Sequence, residues 1–529
     1  MKQLAKMDTP SIPQREYSRR RRALMAQMEA DSIAILPSAG ILIRNRDAEF
    51  KFRQDSDFSY LSGFNEPDAV LVLVPGRARG EFIIFCRERD PLREQWDGYR
   101  QGPAGVCKHY GADDAFPIGD IDDILPGLLE GRERVYYAMG RRPEFDRRVM
   151  AWVNVLRSKV RAGAHPPGEF LDLDHLLHDM RLYKSAAELR ILQRAADISV
   201  TAHRRVMRSC RPGMMEYQLE AELLHEFTAA GAQAAAYNSI VGSGKNACIL
   251  HYVENSAAIR DGDLVLIDAG CELNSYAADI TRTFPSNGKF TAPQQALYEV
   301  VLSAQRTAIA QTQSGNNWND PHDATVAVIT QGLLDLGILD GEFNELIESE
   351  AYKPFYMHRA GHWLGMDVHD VGDYKVADEW RVLEPGMVTT VEPGLYISGD
   401  DTSVAVKWRG MGIRIEDDVV VTRQGPQVLT GALEKTVSGI ERVMRRRAAV
   451  SVGVGKRKAA AKKKTATKKK ASVKKKATEN KKVTAKKKTT AKKKAAVKKK
   501  SAEKKSAVKK KKTIKKKSVA KTESRRRKS

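Results

Sequence analysis

Asp268 closes the apolar run Leu264-Val265-Leu266-Ile267, and Asp279 follows it by eleven positions. Residues 265–267 read as a buried strand and Gly270 as the punctuation after it. If a second strand carrying Asp279 pairs with the first as a hairpin, both carboxylates point into one pocket. Two ionised carboxylates sharing a buried site repel, so one would have to keep a proton. A divalent cation removes that conflict, and oxygen donors of this kind suit Mg, Mn or Co. Further candidates lie downstream. Residues 355–370 hold His358, His362 and His369, three of the chain's eleven histidines. In residues 389–396, Glu392 ends an apolar strand ahead of a Pro-Gly turn, with Tyr396 just beyond. In residues 412–419, strand alternation puts Arg414 and Glu416 on one face and Ile413 and Ile415 on the other. Each residue alone is a weak signal, because a buried strand-end aspartate more often caps or pairs. Together Asp268, Asp279, His362, Glu392 and Glu416 give four carboxylates and one imidazole. Such a set can hold two divalent ions with shared carboxylates and lower the pKa of a water trapped between them, the two-metal hydrolase design.

Several elements must position this set. Residues 14–30 have apolar positions at helical spacing. Strand-like runs follow at 32–36, 69–74, 81–85 and 135–138, with helical patterns at 121–129 and 144–158. That alternation predicts an α/β domain over residues 14–175. Between them, residues 90–110 read either as a surface loop with one half-buried indole, Trp96, or as a wall for a neighbouring active site. A Gly/Pro-rich stretch at 162–168 places a boundary near 165–182. Ser185 with Glu188 fits a capping box opening a long helix to about residue 208. Helices at 215–231, 293–313 and 322–337 flank the ligand-bearing strands of a second domain, 180–444.

Charge is unevenly spread. From Ser451 onward the chain carries 37 Lys and Arg against 3 Glu, a net of about +34, which leaves the preceding body near −10 within the formal +24. The protein therefore reads as a mildly acidic globular body joined to a lysine-rich tail, 445–529. Repeats such as Ala-Lys-Lys-Lys, with no aromatic residue, cannot bury enough surface to offset their ordering entropy, so the tail reads as disordered. The five cysteines form no CxxC pair, which argues against a disulfide framework or thiolate zinc site and fits a reducing compartment. No signal-peptide pattern and no apolar run of ~18 residues is found, so a cytoplasmic protein without a membrane span is expected.

The ligand order, together with Tyr237-Asn238-Ser239-Ile240-Val241-Gly242-Ser243-Gly244 and Ile249-Leu250-His251-Tyr252, resembles the pita-bread metallopeptidases. Within them the chain is most similar to the Xaa-Pro aminopeptidases (aminopeptidase P). Arg53-Gln54-Asp55-Ser56-Asp57-Phe58 and residues 61–67 extend the likeness into the N-terminal domain, so that it covers roughly residues 14–440. Arg359-Ala360-Gly361 departs from the small, neutral residues of the family pattern. The resemblance implies an α/β N-terminal domain, an α+β pita-bread catalytic domain, and hydrolysis of the N-terminal Xaa-Pro bond by a metal-bridging hydroxide. It implies that Asp268 chelates one metal, Asp279 and Glu416 bridge both, and His362 and Glu392 complete the shells. Glu392 would relay the proton, His251 and His369 would stabilise the oxyanion, and His358 would contact the proline side. Arg414 would orient its neighbours, while Tyr237, Tyr396 and Trp96 would line substrate pockets, Trp96 from another subunit. Manganese is the family's usual metal, and a dimer or tetramer its usual assembly. The tail resembles the lysine-rich termini of linker histones, which implies loose binding of nucleic acid or a merely solvated tail. A non-catalytic pita-bread module and a dipeptide-cleaving prolidase are the competing readings.

Overall fold

The computed structural model describes residues 9–445. The lysine-rich tail expected at 445–529 lies outside the described residues from position 446 onward. Six strands form one mixed sheet in the order Asp114–Pro117, Phe82–Cys86, Val70–Leu73, Ser32–Pro37, Arg134–Tyr136, Glu169–Leu171. The three inner antiparallel neighbours continue at both edges into parallel pairs. Alternate residues of the inner strands go to different cores. Ile33, Ile35, Val70, Val72 and Ile83 pack with the helices Ile121–Leu129 and Pro143–Ser158, whereas Ala34, Leu36, Leu71, Leu73 and Ile84 join the core shared with the rest of the chain. Coverage on both faces explains why these strands read as unbroken apolar runs.

Residues 90–110 are not a loop. They fold as two short helices, Pro91–Asp97 and Gly102–Tyr110. The first is nucleated by Asp90, whose carboxylate accepts the Leu92 and Arg93 backbone N–H groups at 3.0 and 3.1 Å, with Pro91 in the first turn. Seven residues with only Leu92 and Trp96 as large apolar side chains, both exposed, carry no detectable period, so the sequence pattern could not announce this helix.

The long helix forms at Ala186–Ser209, where the Glu188 carboxylate accepts the Ser185 backbone N–H at 2.8 Å. Its apolar face, including Ile191, Ala195 and Val206, is buried in the shared core. Helices Glu216–Ala229, Ala292–Gln311 and Asp320–Asp335 match the remaining periodic stretches to within a few residues. The strands that carry the site form small antiparallel groups. Leu264–Asp268 lies between Ile240–Ser243 and Thr281–Pro285. Val388–Val391 pairs with Asp417–Thr422, and Gly394–Ile397 with Met411–Arg414.

A buried ion network fastens the N-terminal sheet region to the second region. Arg181, almost fully buried, contacts Asp57 at 2.7 Å, Asp367 at 2.9 Å and Asp370 at 2.5 Å. Lys184 meets the other Asp370 oxygen at 2.9 Å. Arg53 donates to Glu272 at 2.7 Å and to the Met366 carbonyl at 2.7 Å. The segment 366–370, which carries His369, is therefore pinned from both sides. Among the described residues no helix is long and apolar enough to cross a membrane.

Candidate metal centre

The two opening aspartates do converge, by a route slightly different from a simple hairpin. Leu264–Asp268 pairs with Thr281–Pro285, and the residue opposite Asp268 is Thr281. Asp279 precedes that strand by two positions and so projects to the same side. The excursion between them holds a small hairpin, Cys271–Leu273 with Tyr276–Ala277. Gly270 permits the tight return: a Cβ there would lie 1.6 Å from the Ala278 carbonyl oxygen.

One cavity of ≈ 440 Å³ is lined by Tyr237, His251, Asp268, Asp279, His358, Arg359, His362, His369, Glu392, Arg414 and Glu416, among others. Donor atoms of Asp279, His362 and Glu416 lie within 4.8 Å of one another. His362 Nδ1 faces the Trp363 carbonyl at 3.0 Å, which fixes the proton there and leaves Nε2 turned to Asp279 and Glu392, each at 3.6 Å. Arg414 Nη2 binds Asp268 at 2.6 Å, and its Nη1 donates to the Tyr396 hydroxyl at 2.9 Å. The Tyr237 hydroxyl reaches Asp268 at 2.6 Å and also touches Asp279. His358 Nδ1 faces the Arg359 carbonyl at 2.8 Å, so its Nε2 accepts from the Tyr396 hydroxyl at 2.9 Å. Arg414, Tyr396 and His358 thus form one donor chain. His369 packs edge-on against His362 with ring centres 4.3 Å apart. Trp96 is not brought to this cavity; it stands 87% exposed on its short helix.

Four carboxylates face the Arg414 guanidinium and the His362 imidazole, with Arg359 the other arginine of the lining, and the charges show the mismatch. Burial and the Asp268 charge push Asp279 up to about 6. Burial pushes Glu392 up to about 7, with Asp279 and Asp268 adding to the rise. Burial and Asp279 drive Glu416 well above the carboxylate range. Asp268 alone is held low: burial opposes this, but the Arg414 charge and the Tyr237 hydroxyl prevail. Burial works against a charged His362, yet its contact with Asp279 and the Glu392 charge raise it to about 9. Burial and the Arg414 charge lower His358 to about 4. Excess buried anion of this kind calls for a cation. An oxygen-rich set with one imidazole fits divalent ions of the Mg, Mn and Co type.

A second acidic group, Asp57, Asp174 and His178, also has donors within 4.8 Å. There guanidinium groups supply the positive charge: Arg181 and Arg141 lie 2.7 and 3.1 Å from Asp57, and Arg141 lies 2.7 Å from Asp174. It needs no metal.

Three supporting residues were not foreseen. The Thr281 hydroxyl donates to Glu416 at 2.6 Å and accepts from Arg414 Nε at 3.1 Å. It sits two positions after Asp279, so strand alternation could have found it. Asp418 accepts the Asp279 backbone N–H at 3.2 Å. Glu216 is fully buried and takes donors from Ser243 (N at 2.8 Å, Oγ at 2.7 Å), Asn246 at 3.2 Å, the Tyr252 hydroxyl at 2.8 Å and Ala257 N at 2.8 Å. It thereby holds the segment that bears His251. No local sequence signal marks Glu216, because all its partners arrive through folding.

Comparison with known proteins agrees with this architecture. Residues 17–136 match the model for the aminopeptidase P N-terminal domain, and residues 190–423 match that for metallopeptidase family M24. The Xaa-Pro aminopeptidase of Escherichia coli is 46% identical over 434 residues, spanning 82% of this chain and 98% of the relative. The chain belongs to the Xaa-Pro aminopeptidase family. Another member, human Xaa-Pro aminopeptidase 3, is 37% identical over 82% of this chain and 87% of its own length. A solved aminopeptidase of this family from Pseudomonas aeruginosa superposes with a TM-score of 0.82 at 65% identity, covering 82% of this chain and 98% of that one. A zinc-substituted E. coli aminopeptidase P in complex with product gives 0.81 at 46% identity, covering 83% and 99%. Like other Xaa-Pro aminopeptidases, the chain is a metallo-exopeptidase that combines an aminopeptidase P N-terminal domain with a pita-bread catalytic domain.

Proposed function

We propose that this chain removes the N-terminal residue from peptides with proline second, using two divalent cations, manganese by preference, held by Asp268, Asp279, His362, Glu392 and Glu416. The observation that carries this is the gathering of four buried carboxylates and the free Nε2 of His362 around one cavity with too little positive charge to balance them. When bound, the cations would supply Lewis acidity and a water acidic enough to attack near neutral pH.

The protein's own groups do the rest. Asp279 and Glu416 would be shared between the cations, and Asp268, His362 and Glu392 would complete the set that holds them. Glu392, which holds its proton up to about 7 without a metal, suits a relay from the attacking water to the leaving proline nitrogen. His251 and His369 donate to the oxygen that gains charge as the carbonyl is attacked. His358, neutral and fixed by Tyr396, offers its ring to the proline side, with Arg414 orienting both Asp268 and Tyr396. Tyr237 and Tyr396 shape the substrate pocket. An Xaa-Pro bond has no amide N–H, so recognition falls on shape and on the free amine.

Trp96, facing outward in one protomer, would complete a site in a second copy of a dimer or tetramer. The domains run 14–175 and 180–444. The tail at 445–529 would bind nucleic acid loosely through unpatterned lysines, and the protein would work in the cytoplasm. The test is turnover by metal-depleted protein with and without manganese, using Ala-Pro-Ala and the dipeptide Ala-Pro. Manganese-dependent release of alanine from the tripeptide is expected. Cleavage of the dipeptide alone would indicate a prolidase, and no turnover of either would leave only a binding module.

A further inference from the structure

We infer that Arg359 forms an anion subsite at the edge of the catalytic cavity, receiving a carboxylate carried by the peptide beyond the scissile bond. The inference rests on the Xaa-Pro reading above, which places the neighbouring His358 on the proline side.

Arg359 lines the catalytic cavity and also the small adjoining one formed by Trp318, His322 and Thr390. Its guanidinium donates to the Asn319 side-chain oxygen and lies 5.0 Å from the centre of the Trp380 ring. Those contacts orient the group without neutralising it. The other arginines near the site have anionic partners: Arg414 with Asp268, Arg282 with Asp417, Arg181 with three aspartates, and Arg381 with Asp179. Among the described residues no carboxylate lies within ion-pair distance of Arg359; Asp378 and Glu379, exposed on the neighbouring hairpin turn, do not reach it. A second cation, Lys375, stands 4.6 Å from the same Trp380 ring.

A planar fork held against an aromatic face, with donors to spare, suits a carboxylate. Two sources supply one: the C-terminus of a tripeptide, or an acidic side chain in the third position of a longer peptide. The first would favour short substrates, the second a sequence preference.

Three probes separate them in the manganese-loaded enzyme: Ala-Pro-Ala as free acid, Ala-Pro-Ala amide, and Ala-Pro-Glu amide. The free acid is expected to exceed the amide about five- to tenfold in kcat/KM, mostly through KM, as suits one partly exposed charge-assisted contact. The glutamyl amide regaining that advantage identifies the side chain as a second source; its failure to do so assigns the subsite to the C-terminus. In Arg359→Gln the ratio of acid to amide falls to near one, and Arg359→Lys keeps part of it. The ratio also shrinks as salt rises from about 0.05 to 0.5 M. Equal kcat/KM for all three probes in the wild type, or unchanged ratios among them in Arg359→Gln, overturns the subsite alone. No turnover of any probe overturns it together with the Xaa-Pro reading.

Discussion

Among single residues, Asp279 shows how the site depends on charge. Its carboxylate faces His362, touches Tyr237 and has its backbone N–H held by Asp418. Asp279→Asn keeps the shape and removes the charge. Turnover is expected to vanish, and metal affinity to fall by more than the ~10–100-fold typical of losing an outer partner, read as metal content after dialysis. The same crowding sets a pH dependence in the metal-free protein. Asp279 at about 6 and Glu392 at about 7 bind protons more tightly when folded than unfolded, and so does His362 at about 9. Their contribution to stability is present at low pH and is lost as pH climbs from roughly 4.5 toward 9. Tm of the metal-free enzyme should therefore fall from pH 5 to 8, and manganese should raise Tm more at pH 8 than at pH 5. A flat metal-free profile would mean that the four carboxylates do not share one site.

Strands and helices differ in how openly the chain advertises them. The strand 264–268 was legible because its apolar run is unbroken, and Arg414 and Glu416 because period-two alternation singles them out. The convergence of Asp279 with Asp268 was legible, but its place just ahead of the strand was not, since a two-residue hairpin strand at 276–277 is below the length at which a pattern forms. The short helix that carries Trp96 and the one after it were missed for the same reason. Glu216 was wholly hidden: it reads as an ordinary first-turn acid of an amphipathic helix. Folded, it satisfies five donors from the stretch leading to and past His251. Glu216→Gln turns one acceptor into a donor facing buried N–H and O–H groups. It should cost about 2–3 kcal/mol of stability, measured by denaturant unfolding, and lower kcat with metal content unchanged. A variant as stable and active as the parent would show that this anchor is dispensable.

For the whole molecule, the acidic body and the basic tail should be separable. Removing residues 446–529 leaves the Val437–Arg445 helix, with Ile440, Val443 and Met444 buried, intact. Tripeptide kcat/KM should be unchanged while retention on heparin drops; a large fall in kcat would tie the tail to catalysis. The N-terminal third is a different matter. Every proposed metal ligand lies after position 267, which invites the notion of a stand-alone hydrolase cut from the chain near residue 174. Arg181 forbids it. Such a fragment would keep this guanidinium but lose Asp57, and the loop bearing His369 would lose its grip on Arg53 and Ser56. The smallest autonomous enzyme is thus the full two-part body, and a protease nick that released the front third is expected to silence it with all five proposed ligands still in place.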